Sequence, residues 1–239
     1  MIDMEALYSV CGIASSFIMA MVLNKMPAKC FCDYDETPDE RHEPPRVGKW
    51  SLIICAVVLG VVYWMMAERY GFSLKSICLC AVSTVLLMLT LSDIRYSIIP
   101  DELIIAGCIL ATIGVFPDIL SGSDWGSRLS PVFGALIGAG IIFVINLLGK
   151  VLYKKDALGM GDLKLMVVCG IVCGAAGTAM AMLIGIFAAG IWFAAAIALK
   201  RVSSDSYMPL GPFLVFGCLF TLCLRPVIDA FLAWYISLI

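Results

Sequence analysis

Charge is scarce in this sequence. Only 14% of the 239 residues are Asp, Glu, Lys or Arg, where a soluble domain carries about 25%. The net charge is −2, far from the basic excess that a nucleic-acid partner demands. Histidine occurs once, at His42, so nitrogen ligands for a metal are few. No Gly/Ser linker, heptad array or solenoid-period repeat is present, which removes tethered-domain, coiled-coil and repeat architectures. What fills the chain is apolar: 62% of residues are hydrophobic and the mean hydropathy is +1.02. That much apolar surface cannot be packed inside one water-facing body and must face lipid or other spanning helices.

There are 11 cysteines. The number is odd, and all but Cys30 and Cys32 lie inside apolar runs, where cysteine behaves as a small buried hydrophobe. A disulfide framework is not expected.

Apolar runs long enough to span occur at 6–24, 50–67, 72–91, 102–120, 130–152, 162–177, 178–199 and from 209 onward. The expected fold is therefore an all-α polytopic membrane protein with about eight transmembrane helices. The whole chain, 1–239, reads as a single integral-membrane domain. Arg225-Pro226 interrupts the last run and leaves two readings, one kinked helix or two pieces. The first run is not a signal peptide, since Asp3 and Glu5 stand where basic residues should. Eight spans place twelve of the sixteen lysines and arginines in one set of loops, with only Arg69, Lys75, Arg128 and Arg225 opposite. By the positive-inside rule the rich side is cytoplasmic and the N-terminus outside. The longest polar stretch, 25–49, is then a cytoplasmic loop. Its prolines Pro27, Pro38, Pro44 and Pro45 predict little regular structure.

Ionisable groups near spans are costly and mark function. Asp93 ends the third span and Asp162 opens the sixth, so both fall at the cytoplasmic membrane boundary. Two carboxylates that share a water divide the work, with one ionised and one protonated. The first takes a proton from water and the second polarises a peptide carbonyl. The blander reading is that Asp162 caps a helix and Asp93 pairs with a cation such as Arg95. Gly159 and Gly161 flank Met160 just before Asp162, and glycine allows a backbone to come close. Pro209-Leu210-Gly211-Pro212 opens the final span from the same side. It reads either as irregular backbone lining a wet cavity or as an ordinary helix start.

At these residues the sequence resembles the type IV prepilin peptidases, membrane aspartic proteases of the G-x-G-D class. The family pattern of an aspartate, six residues and Pro-Asp appears as Asp93 through Pro100-Asp101. The G-x-G-D-x-K-L block appears as Gly159 to Leu165, and the terminal proline-glycine-proline block as Pro209 to Leu214. The resemblance implies that Asp93 and Asp162 are the catalytic pair of an aspartic endopeptidase. Gly159, Gly161, Lys164, Pro209, Gly211 and Pro212 would bind substrate or shape the site, and Asp101 would cap the fourth span. It implies cleavage of basic leaders from prepilins or pseudopilins at the cytoplasmic face of the bacterial inner membrane. No cofactor is implied for proteolysis, and no oligomeric state.

The chain departs from the bifunctional members of that family in its first loop. Theirs is longer and carries two paired-cysteine motifs associated with N-methylation. Gly12 to Phe17, Asn24 and Pro27 resemble their first span, but only Cys30-Phe31-Cys32 remains of the insert, with His42 nearby. These three are weak metal candidates, since a structural zinc site takes four ligands. No glycine-rich cofactor loop is visible, so S-adenosylmethionine enters only if methyl transfer is retained. The acidic run Asp33, Asp35, Glu36, Asp39, Glu40 and Glu43 reads as a solvated loop or as an attractor for a basic leader. Two other functions remain open here: a proton-coupled transporter using the same aspartates as a relay, and a catalytically silent assembly component.

Overall fold

The computed structural model describes residues 3–32, 39, 42–122, 124–153, 159–201 and 209–236. It is helical among the described residues. The elements are α1 (Met4–Lys25), a 3-10 turn (Ala28–Phe31), α2 (Lys49–Tyr70), α3 (Leu74–Tyr96), α4 (Asp101–Ser121), α5 (Trp125–Tyr153), α6 (Met160–Ala198) and α7 (Gly211–Ile236). Six of them, α1 to α6, contain stretches long and apolar enough to cross a membrane. The apolar part of α7, Gly211–Val227, is shorter.

Helix α3 runs through the middle of the bundle. From Cys78 to Leu89 every residue except Ala81 is buried, as expected of a helix that is apolar on all sides. Ser73 and Ser76 form a reciprocal capping box at its start, satisfying amides that a helix N-terminus leaves unpaired. Its last turn closes on Ser97 in the left-handed conformation, φ 55°, and the Ser92 hydroxyl donates to Ile98 O at 2.6 Å. Asp93 is thus held at the end of the most enclosed helix.

The sixth and seventh apolar runs form one continuous element with a break inside it. Gly174 has φ 67° and ψ 178°, a backbone conformation that side chains disfavour. The chain reverses there. The Cβ position of Gly138 on α5 lies 2.8 Å from Met166 O and 3.1 Å from Thr178 Cγ2. A straight helix would separate residues 166 and 178 by about 18 Å, at 1.5 Å per residue. Limbs 160–173 and 175–198 therefore run antiparallel. The expected boundary at 177/178 is corrected to Gly174. Ser130 of α5 caps the second limb by accepting from the Ala175 amide at 3.1 Å. The limbs can approach α5 because Gly134 meets the backbone of Gly170 directly, the small-residue packing that membrane helices favour.

The interruption at Pro226 does not end α7, which continues to Ile236. Proline lacks an amide, so the carbonyl four residues earlier, Leu222 O, loses its helical donor. Arg69 Nη1 donates to it at 2.9 Å. At the Gly174 break the same solution recurs: Arg225 Nη1 donates to Cys173 O at 2.8 Å. Lys75 pairs with Asp118 and Arg128 Nε donates to Gly122 O at 2.9 Å. All four cations of the charge-poor side have partners at helix ends or breaks.

Within 25–49, the described residues 25–32 and 42–49 are more ordered than the prolines predict. The α1 C-terminus leaves carbonyls unpaired, and Arg46, only 7% exposed, fills them. Its Nη1 donates to Leu23 O and Met26 O, its Nε to His42 O, and its backbone amide to Asn24 Oδ1. The guanidinium also stacks 4.6 Å over the Phe31 ring. Phe31 and His42 in turn pack on Tyr96, at 5.1 and 5.4 Å between ring centres. The loop is therefore anchored to the last turn of α3. Asp33, Asp35, Glu36 and Glu40 of the acidic run lie outside the described residues.

Candidate active site

Asp93 and Asp162 approach each other at one end of the bundle. Asp93 lies near the C-terminal end of α3 and is 4% exposed; Asp162 is the third residue of α6 and 6% exposed. Gly211, the first residue of α7, sits against both. A Cβ added there would lie 2.5 Å from Asp93 Oδ2 and 3.6 Å from Asp162 Oδ1. The two oxygens can be no farther apart than those distances added together. The Gly211 amide faces Asp93, yet Asp93 Oδ2 is buried without a hydrogen-bond partner among the described residues. A buried acceptor left unmatched costs stability unless another group meets it. The site therefore has room in its hydrogen bonding for a water that donates to Asp93, or for a substrate carbonyl that accepts from it when it is protonated.

The two bland readings of these aspartates do not describe their placement. The cap of α6 is Gly159, whose carbonyl accepts from the Asp162 amide at 3.2 Å. Asp162 stands three residues inside. Arg95 donates to Pro45 O at 3.0 Å, and no ion pair joins it to Asp93 among the described residues. The Cβ position of Gly161 lies 3.1 Å from Ile99, so that glycine lets the α3–α4 turn pack on the start of α6. Pro209 precedes α7 and Pro212 falls in its first turn, where a missing amide is harmless. Leu210 O accepts from Phe213 and Leu214, so this end is an ordinary helix start brought close to the pair.

Asp101 is corrected. Pro100 occupies the cap position of α4, and the Asp101 carboxylate takes Lys164 Nζ on both oxygens, at 2.6 and 2.9 Å. Sequence reasoning gave Lys164 no partner. The joining of positions 101 and 164 is a long-range contact, visible only once α4 and α6 are packed. Arg46 and Tyr96 were missed for the same reason.

Among the described residues no three His, Cys, Asp or Glu side chains converge as a metal site. Cys30 Sγ donates to Glu102 Oε1 and Cys32 Sγ to Ala28 O, each at 3.3 Å. His42 Nδ1 is 2.7 Å from Asp39. Burial, and then the Glu102 carboxylate, push the Cys30 thiol up. The thiolate is the form that alkylates and ligates metal, so Cys30 should react slowly near neutral pH. Glu102→Gln removes the repelling charge and should speed alkylation, followed by peptide mass mapping. An unchanged rate would mean that Glu102 does not act on this thiol.

Fold and site define a polytopic helical membrane protein with two buried carboxylates facing one another at one end of its bundle. Residues 79–194 match the profile of the type IV leader peptidase family. The match covers just under half of the chain, and that stretch is similar to the family. It is 28% identical over 163 residues to a prepilin leader peptidase/N-methyltransferase of Pseudomonas putida, covering 67% of this chain and 52% of the relative. Proteins of the same name from Pseudomonas aeruginosa and Bacillus subtilis are 24% and 23% identical, over 66% and 71% of this chain and 52% and 63% of theirs. The chain spans about half the length of most curated relatives it matches. No solved structure matches it.

Proposed function

We propose that the protein is an aspartic endopeptidase of the bacterial inner membrane that removes basic leaders from prepilins or pseudopilins. The observation that carries this reading is the buried Asp93–Asp162 pair, closed over by Gly211, with Asp93 Oδ2 lacking a partner among the described residues. The relatives' names support the substrate class. One carboxylate takes a proton as water attacks the scissile carbonyl carbon. The other, protonated, donates to the carbonyl oxygen. Collapse of the tetrahedral intermediate breaks the C–N bond, and the departing amine takes a proton from the pair.

The same reading sets the topology at eight crossings with the N-terminus outside. The reversal at Gly174, which divides α6 into two limbs, and the loop charges support it. A prepilin would then lie with its apolar helix in lipid and its cleavage site at the cytoplasmic boundary, beside both aspartates. The chain 1–239 acts as one integral-membrane unit, and no nucleic acid takes part. Methyl transfer is left out of the proposed activity, because the loop 25–49 keeps only Cys30 and Cys32.

The test is purified protein incubated in lipid with a panel of prepilins and pseudopilins. Removal of the basic leader is expected, with no methyl increment in the mass of the new N-terminus. A chelator should leave the rate unchanged, and so should replacement of both Cys30 and Cys32 by Ser. Failure to cut any member of the panel defeats the assignment. Loss on chelation with recovery on zinc would return Cys30, Cys32 and His42 to the site.

A further inference from the structure

Lys164 is two residues past Asp162, and helix residues two apart point to different sides. Its ammonium reaches instead to both oxygens of Asp101, at 2.6 and 2.9 Å. Asp101 opens α4 immediately after the turn that leaves Asp93. The contact thus closes a ring: Asp93, the turn 97–100, Asp101, Lys164, Asp162. Two further contacts stiffen that ring. Ser92 Oγ ties the end of α3 to Ile98 O, and Ile99 packs where Gly161 has no side chain.

The pair is half exposed, with Lys164 at 38% and Asp101 at 45%. Ion pairs in such settings add little to overall stability. Local geometry is another matter, because misplacing reacting groups by about 1 Å can lower a rate roughly 10²-fold. Resting on the endopeptidase reading, we propose that Lys164 and Asp101 form a positioning clamp that sets the separation of the Asp93 and Asp162 carboxylates. Neither is a catalytic residue. The clamp fixes the last turn of α3 against the first turn of α6.

The experiment compares Lys164→Met, Asp101→Asn, the double variant, and the charge-exchanged pair Lys164→Asp with Asp101→Lys, all in the full chain. Two readouts are taken. The first is prepilin cleavage, with Asp93→Asn as the control for the activity itself. Each single variant should lose about tenfold in kcat with KM within about twofold, since only the chemical step depends on the spacing. The double variant should be no slower than the worse single one, and the exchanged pair should recover part of the loss. The second readout is the distance between nitroxides attached through unnatural amino acids at Ile94 and Met160, both exposed. That distance should broaden in either single variant, and it reports on the clamp even where no prepilin is cut. An unchanged distance distribution, unchanged kcat or additive losses overturn the clamp. A rise in KM alone also overturns it, by making Lys164 a substrate-binding residue. Cleavage by wild type that survives Asp93→Asn would defeat the endopeptidase mechanism instead.

Discussion

Asp93→Asn and Asp162→Asn should each abolish leader cleavage while the protein still inserts and folds. Asparagine keeps the size of the side chain and most of its hydrogen bonding, but it cannot exchange the proton the pair must share. The loss should reach the limit of detection. It should not deepen in the double variant, because groups that act as one unit lose their effect together. Both side chains are buried at the junction of three helices, so folding must be checked alongside, by thermal unfolding in detergent. Measurable turnover by either single variant would reject the pair as the reaction centre. Asp101→Asn offers the contrast: a carboxylate from the same motif, bound to Lys164 and not to the pair, whose loss should be far milder.

Gly211→Ala should come close to the aspartate variants in effect. One methyl group at this position would sit 2.5 Å from Asp93 Oδ2, nearer than any carbon and oxygen can rest. Either Asp93 leaves its place or α7 withdraws. A displacement of about 1 Å is worth roughly 10²-fold in rate, and the displaced group is one of the proposed catalytic pair. The substitution is small and falls in the first turn of a helix, where alanine is acceptable. Stability should therefore change less than kcat. Steady-state cleavage by Gly211→Ala within a few fold of wild type would show that Gly211 does not fix the carboxylates.

The candidate site was legible in the sequence because its parts are local motifs. Aspartates at the ends of apolar runs, glycines just before Asp162 and the Pro209-Leu210-Gly211-Pro212 turn can each be read without knowing what they touch. What Gly211 does could not be read, since it depends on α7 packing against α3 and α6. The helices were legible from apolar length alone, and so was a division inside α6, but not the residue at which the chain turns. Hydropathy runs unbroken from Met160 to Ala198, and the reversal rests on the backbone angles of Gly174, one glycine among several in that stretch. The loop 25–49 misled for the opposite reason. Its prolines signalled irregularity, while the described part is fixed by Arg46 reaching back to Leu23 O and Met26 O.

The arginines at the far end carry a consequence for biogenesis. Cys173 O is exposed by the turn at Gly174, and its donor, Arg225, is made 52 residues later. Gly211, which completes the aspartate pair, belongs to the same late helix. A nascent chain emerging from the translocon must hold the α6 hairpin with an unmatched carbonyl until α7 arrives. Entry of α7 then closes the hairpin at one end of the bundle and brings Gly211 against Asp93 and Asp162 at the other. Closure is in this sense a single event, and a ribosome stalled before α7 leaves a chain with both aspartates present but neither Arg225 on Cys173 O nor Gly211 beside the pair.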